Sequence, residues 1–238
     1  MGEIGKEKAF YLMTASCFFA AAASVPFFKM EFPLAAGSFL QYVKSAFSSQ
    51  GMLFLIPIVS VLTAGASYVR ESSGGFLKLY AVRISRAEYI RRKTMQVYAG
   101  GFLPFFFAGL LSLTMGFLFL YPLEYKGTIE MKTVWDAVLL LLRICLTGGI
   151  TAEVSGIFAA AFCNYYMAYG LPFVCFYLLI ILKDRYLQDL YVIDPKEWIL
   201  TENYWGAGGN GIWVFFLVSS VFFCLLHGLL LGYRLREI

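Results

Sequence analysis

The chain contains 238 residues, of which 60% are apolar and only 14% are charged, and its net charge is +4. Soluble domains carry about 25% charged residues, and the mean hydropathy of +0.72 indicates a far more apolar protein. These values exclude a soluble enzyme, a disordered chain and a free nucleic-acid-binding domain. They predict an all-α integral membrane protein with a single transmembrane domain over residues 1–238.

Six apolar stretches predict membrane-crossing helices, because a helix needs about 20 apolar residues to cross a bilayer. In chain order, the predicted spans are 9–28, 51–69, 97–120, 135–163, 169–182 and 212–233. The first stretch also has features of a signal peptide, but Glu3 and Glu7 interrupt the basic region that such a peptide requires, and its apolar run is long. We therefore interpret it as a membrane helix.

The charged residues predict the orientation of these spans. Segment 70–96 carries seven basic and two acidic residues, whereas segment 183–210 carries three basic and five acidic residues. Because basic loops face the cytoplasm, we expect segment 70–96 and both termini inside and segment 183–210 outside. The expected location is the cell membrane, in particular a bacterial plasma membrane, where lipid head groups would contact the basic loop.

The cytoplasmic loop between the second and third spans contains signals for a break, a short helix and a new helix. Residues 72–75, Ser-Ser-Gly-Gly, predict the end of the second span, and residues 76–82 can form two helical turns. Residues 85–88, Ser-Arg-Ala-Glu, form a capping box, which predicts a helix beginning near Arg86. This succession favours a compact surface that docks another protein. The alternative is a basic loop that only meets anionic lipids.

Four stretches of the chain resemble the type 2 permeases of ABC transporters. The stretch from Glu71 to Tyr80, with its acidic residue and Gly-Gly pair, is similar to the coupling helix of that family. Arg83-x-x-Arg-x-x-Tyr-x-x-x-Lys93 is similar to the basic stretch that leads into the third span. Residues 164–173 resemble the turn into the fifth span, and residues 194–199 resemble the outer Pro-x-x-Trp segment.

The resemblance implies a permease subunit of an exporter, which pairs with a second copy or a homologous permease and with a separate cytoplasmic ABC ATPase. The implied ATPase-coupling residues are Glu71, Gly74, Gly75, Phe76, Leu77, Lys78, Leu79, Tyr80 and Arg83. The chain contains no G-x-x-x-x-G-K-[ST] phosphate loop, so ATP and Mg²⁺ are expected on the partner. No catalytic residue, cofactor, metal or nucleic acid is expected on this chain. Family members of this length often export antimicrobial peptides, which implies an amphipathic or peptide-like substrate.

Three polar residues inside the predicted spans are candidates for substrate translocation. Arg143 and Glu153 lie in the fourth span, and His227, the only histidine, lies in the sixth. Charged groups at such depth pair between helices or line a pathway. Arg143 and Glu153 are about 15 Å apart along one helix, so each is expected to pair elsewhere. His227 is expected to be buried and hydrogen-bonded, with a proton relay as the alternative.

Small residues predict close packing of the fourth and sixth spans. They recur every four residues at Gly148, Ala152, Gly156 and Ala160, and at Ser220, Cys224, Gly228 and Gly232. We expect these stripes to pack spans of one subunit, with a dimer contact as the alternative. The five cysteines are expected to be small buried hydrophobes, and residues 29–50 are expected to form an outer interfacial segment.

Two other classes of function remain open at this point. A secondary transporter or substrate-capture subunit would require an internal repeat or buried ligands for a coupling ion. A non-transporting sensor or assembly protein would use residues 72–83 to dock a regulator.

Overall fold

The computed structural model describes residues 8–24, 34–75, 77, 84–125, 127–206 and 209–236. This part of the chain is helical and contains no β-strand, apart from an isolated bridge between Leu34 and Glu124. By length and composition, five of its helices are apolar enough to cross a membrane. The predicted all-α, multi-pass membrane fold is thereby confirmed at this level of detail.

Nine α-helices make up the described part of the chain. They are α1 (Lys8–Ala23), α2 (Ser38–Phe47), α3 (Gln50–Ser60), α4 (Ser67–Ser73), α5 (Arg86–Phe119), α6 (Met131–Phe162), α7 (Tyr165–Arg185), α8 (Pro195–Leu200) and α9 (Gly211–Arg234). A π-helical turn, Val61–Gly65, joins α3 to α4, so that Gln50–Ser73 forms one apolar segment of 24 residues. Short 3₁₀ turns lie at Tyr121–Leu123 and Tyr191–Ile193.

The helices cover the predicted spans but begin and end at different residues from those predicted. Gln50–Ser73, α5, α7 and α9 contain the predicted spans 51–69, 97–120, 169–182 and 212–233 almost entirely. α1 has 16 residues and covers 9–23 of the predicted span 9–28, while residues 25–33 lie outside the described part. The count of six spans therefore stays a prediction.

The helix end and the helix start that were predicted beside the basic loop are confirmed. α4 ends at Ser73, and Gly75 has φ +71, a left-handed conformation that glycine adopts readily. α5 begins at Arg86, where the Ser85 hydroxyl accepts a hydrogen bond from the Glu88 backbone N–H at 3.3 Å. The Glu88 carboxylate pairs with Arg92 one turn later, at 2.5 Å, instead of reaching back as the capping box predicted.

α6 is the central helix of the bundle and contacts α2, α3, α4, α5, α7, α8 and α9. Glycines allow α6 and α5 to approach each other closely where they cross. A Cβ atom on Gly101 of α5 would lie only 2.4 Å from the carbonyl oxygen of Gly148 on α6. At Gly156, a Cβ atom would lie 2.5 Å from the imidazole of His227 on α9. The small-residue stripe of the fourth span therefore packs helices within one chain, as expected.

The apolar face of α2 packs into the core, where Val43, Ala46 and Phe47 are fully buried among the helices of the bundle. The interfacial position expected for residues 29–50 stays a prediction, whereas one expectation about the cysteines is wrong. Cys163 is exposed and ends α6 with φ +50, so the predicted span 135–163 loses its last residue. Cys17 and Cys145 are buried as expected, and Cys175 and Cys224 are partly buried.

The polar segment 183–210 folds back onto one end of the bundle. Its short helix α8 contacts α6 and α7, and Ile199 is fully buried in the main core. Trp198 and Trp205 pack with Ile150 of α6 in a second cluster. The described part of segment 183–210 thus forms a packed cap over one end of the bundle, and α8 is part of this cap.

Candidate functional site

A polar cluster joins α4 to α5 at the end of the bundle that holds the basic loop. The Glu71 carboxylate lies 2.6 Å from Lys93 Nζ through one oxygen and accepts a hydrogen bond of 2.7 Å from the Tyr89 hydroxyl through the other. The Lys93 side chain is only 2% exposed and the Glu71 side chain 22%. We call Glu71, Tyr89 and Lys93 the inner cluster. It brings together three residues of the stretches that resemble the permease family.

The chain between α4 and α5 is anchored close to this cluster. Leu77 is buried at 4% exposure and packs with Tyr68, Tyr89 and Leu231. Gly74 and Gly75 are exposed. The remaining predicted coupling residues, Phe76, Lys78, Leu79, Tyr80 and Arg83, lie outside the described residues, and so does the predicted short helix 76–82. Their coupling role stays a prediction.

Exposed basic side chains surround the start of α5. Arg86, Arg91 and Arg92 are all exposed, whereas Lys93 is buried against Glu71. Arg92 is also paired with Glu88. Of these side chains, Arg86 and Arg91 present the clearest positive charge to a negatively charged surface, whether of lipid or of protein.

A second polar pair lies inside the bundle. Glu153 of α6 and His227 of α9 are both fully buried, and His227 Nδ1 lies 2.7 Å from a Glu153 carboxylate oxygen. The expectation of a buried, hydrogen-bonded histidine is confirmed. The sequence could not supply the partner, because 74 positions separate the two residues.

The third predicted polar residue, Arg143, lies about 15 Å from Glu153 along α6, towards the Met131 end, and does not contact the pair. Its guanidinium donates to the Thr201 hydroxyl, just after α8. Thr201 has φ +51, a left-handed backbone conformation that is uncommon for threonine. Nearby, the Glu197 carboxylate accepts hydrogen bonds from the Asn203 backbone at 2.6 Å and from the Trp205 ring at 3.3 Å. Arg143 therefore ties α6 to the cap, and no pattern in the sequence singled out Thr201.

One further contact between helices escaped sequence reasoning. Arg234, at the end of α9, donates to the carbonyl oxygens of Ala160 at 3.0 Å and Ala161 at 2.5 Å. These carbonyls belong to the last turn of α6, where backbone acceptors lack partners within the helix. No pattern in the sequence singled out Arg234, so its role as a cap for α6 is a finding of the structure.

No family model and no curated protein matches the chain. Among the described residues, no group of three or more His, Cys, Asp or Glu side chains could hold a metal ion. The fold is that of a multi-pass helical membrane protein. The inner cluster lies at one end of its bundle, and the Glu153–His227 pair is buried between its helices.

Proposed function

We propose that this chain is the membrane-spanning permease subunit of an ATP-driven ABC exporter. It would move an amphipathic or peptide-like substrate outward, and a separate ATPase would bind ATP and Mg²⁺ and hydrolyse the ATP. The observation that carries the proposal is the inner cluster. Glu71, Tyr89 and Lys93 come from two stretches that resemble the permease family, and they meet at the base of the segment that would couple to the ATPase.

The inner cluster suggests how coupling would work. Residues 74–85 connect α4 to α5, and the Glu71–Lys93 ion pair holds these two helices together on either side of the connection. A partner that pushes on the connection would therefore move α4 and α5 as one unit. Both helices pack on α6, so the movement would reach the centre of the bundle.

Within this proposal, Glu71 is a positioning residue. Its two carboxylate oxygens already contact Tyr89 and Lys93, which leaves the direct contact with the ATPase to residues 76–83. The exposed Arg86 and Arg91 would face acidic groups of the partner or of the lipid.

The finer topology belongs to the same proposal. α1 would be the first of six spans, with both termini and the 74–85 connection in the cytoplasm of a bacterial plasma membrane. The cap that contains α8 would then face outward. A functional unit would contain two permeases, either two copies of this chain or this chain with a homologous permease, and two ATPases.

A secondary transporter is the second candidate, and one observation favours it. The fully buried Glu153–His227 pair resembles the ionisable groups that carry protons through transporters of that class. The two candidates differ in their energy source. Transport that requires ATP and a bound ATPase supports the exporter, and transport driven by a proton gradient without ATPase supports the secondary transporter.

Copurification tests the exporter proposal. The full chain, extracted from its native membranes in mild detergent, is expected to bring with it an ATP-hydrolysing protein that contains a phosphate loop. The double substitution Phe76→Glu and Tyr80→Glu is expected to reduce that recovery by about tenfold or more, because it places two charges at the proposed contact and a tenfold change requires only about 1.4 kcal/mol.

The matched control is the pair Tyr186→Glu and Tyr204→Glu, which changes two aromatic residues at the other end of the bundle, 74% and 73% exposed. This control should retain wild-type recovery. An unchanged recovery for the Phe76 and Tyr80 variant, or a wild-type chain that brings no ATPase, would contradict the proposal.

A further inference from the structure

The Glu153–His227 pair has two polar atoms for which no other described residue provides a hydrogen-bond partner. Both side chains are 0% exposed, and one contact of 2.7 Å joins Nδ1 to a carboxylate oxygen. The second carboxylate oxygen and His227 Nε2 are also buried, and neither has a hydrogen-bond partner in the described part of the chain. Such groups are costly to bury and are usually paired.

Three helices surround the pair, and their described residues contribute no second cation. Gly156 of α6 lies against the ring, where a Cβ atom would be 2.9 Å from either ring nitrogen. From α5, the Tyr98 hydroxyl is within 3.1 Å of the Ser220 hydroxyl of α9. Tyr98 and Cys224 are ionisable neighbours of Glu153 besides His227, and neither a phenol nor a thiol can carry a positive charge.

Other cations on the three helices around the pair contact other groups. Arg234 lies seven positions after His227 on α9 and donates to the carbonyl oxygens of Ala160 and Ala161. Arg143 lies about 15 Å from Glu153 along α6 and donates to Thr201. Lys93 contacts Glu71 at the end of the bundle. In the described part of the chain, His227 is thus the one side chain that can supply a positive charge next to Glu153.

The number of protons on the two side chains determines the net charge of the Glu153–His227 pair. A neutral imidazole beside an ionised carboxylate carries a net charge of −1. One additional proton makes the pair neutral overall, either as imidazolium with carboxylate or as imidazole with carboxylic acid. An uncompensated charge removed from water costs several kcal/mol, and inside a membrane no solvent compensates it.

We propose that Glu153 and His227 form an intramembrane proton-binding site that holds this additional proton. The proton keeps the pair neutral and thereby stabilises the contact between α9 and α6. The site lies about 14 Å along α6 from Phe162, its last residue. Release of the proton would leave a buried negative charge, so it requires the two helices to separate and admit water. The site does not depend on the exporter function and is compatible with either energy source.

Magnetic resonance of the single histidine tests the proposal. Because the chain contains one histidine, full-length protein made with ¹⁵N-labelled histidine and a tag free of histidine gives signals from His227 alone. The protein is placed in lipid nanodiscs, and the infrared band of protonated carboxyl groups is recorded in parallel. At neutral pH, the wild type should show either two protonated ring nitrogens or a neutral ring with a protonated carboxyl band.

The substitution Glu153→Gln preserves a hydrogen-bond acceptor and removes the acid. In the Glu153→Gln variant, the His227 ring should be neutral, whichever of the two forms the wild type shows. A protonated carboxyl band that comes from Glu153 should be absent from this variant. Tyr98→Phe is the matched control, since it removes a neighbouring hydroxyl but leaves the pair intact, and its spectra should equal those of the wild type. A wild type with a neutral ring and no carboxyl band that depends on Glu153 would overturn the proposal.

A second variant keeps the test decisive if Glu153→Gln does not fold. In His227→Gln, Glu153 loses its cation but stays buried, so it should appear as a protonated carboxylic acid at neutral pH. A Glu153 that remains ionised in this variant would overturn the proposal, because it would show that the site tolerates the net negative charge.

Discussion

Replacing Gly101 with leucine is expected to destabilise the chain by about 3 kcal/mol, the upper end of the usual cost of overpacking, because the new side chain would clash with backbone. A Cβ atom at this position would lie 2.4 Å from the Gly148 carbonyl oxygen and 2.5 Å from Ala152 Cβ. The first of these is a backbone atom, so no side-chain rotation relieves the clash. The measurement is thermal unfolding in detergent, together with the elution profile on size exclusion.

The control for this experiment is the same substitution at Gly170 of α7. A Cβ atom there meets nothing within 4 Å, so Gly170→Leu is expected to cause no loss of stability and a gain of no more than about 1 kcal/mol from the higher helix propensity of leucine. If Gly101→Leu unfolded at the same temperature as the wild type, the close crossing of α5 and α6 would be wrong.

Removing the carboxylate of Glu71 is expected to have the second-largest effect. Glu71→Ala deletes the group that lies 2.6 Å from Lys93 Nζ and accepts from Tyr89. Breaking a buried ion pair by removing one partner costs about 3–5 kcal/mol, and Lys93 is only 2% exposed. Thermal unfolding of the single variant should show this loss.

A double variant separates the charge effect from a loss of packing. Glu71→Met combined with Lys93→Met replaces the pair with apolar groups of similar size, a change that is often neutral. We expect it to recover most of the lost stability. As a comparison, Asp136→Ala disrupts the exposed pair with Lys44 and should cost less than about 1 kcal/mol. A double variant no more stable than Glu71→Ala would show that the ion pair is not the cause.

The sequence predicted those features that depend on neighbouring residues. Long apolar runs determined the membrane helices, and the helix start at Arg86 followed from a hydrogen bond between Ser85 and a residue three positions later. The end of α4 followed from a glycine pair. Each of these signals works through local backbone geometry, so a single sequence contains all that is needed.

The partners of the polar side chains were beyond sequence reasoning, because tertiary packing brings them together. Glu153 meets His227 across 74 positions, and Arg143 meets Thr201 across 58. α2 shows a related limit. Its apolar face was evident, but the sequence could not indicate whether helices or lipid would cover it, and the structure shows helices.

The central claim is that the connection between α4 and α5 docks an ATPase, and site-specific crosslinking in cells tests it most directly. A photoreactive amino acid is placed at position 80, and a second variant has it at position 190, an exposed leucine in the cap. Position 80 should form a crosslink to a protein with a phosphate loop, and position 190 should not. A chain that reaches the membrane but forms no such crosslink at position 80 would contradict the account.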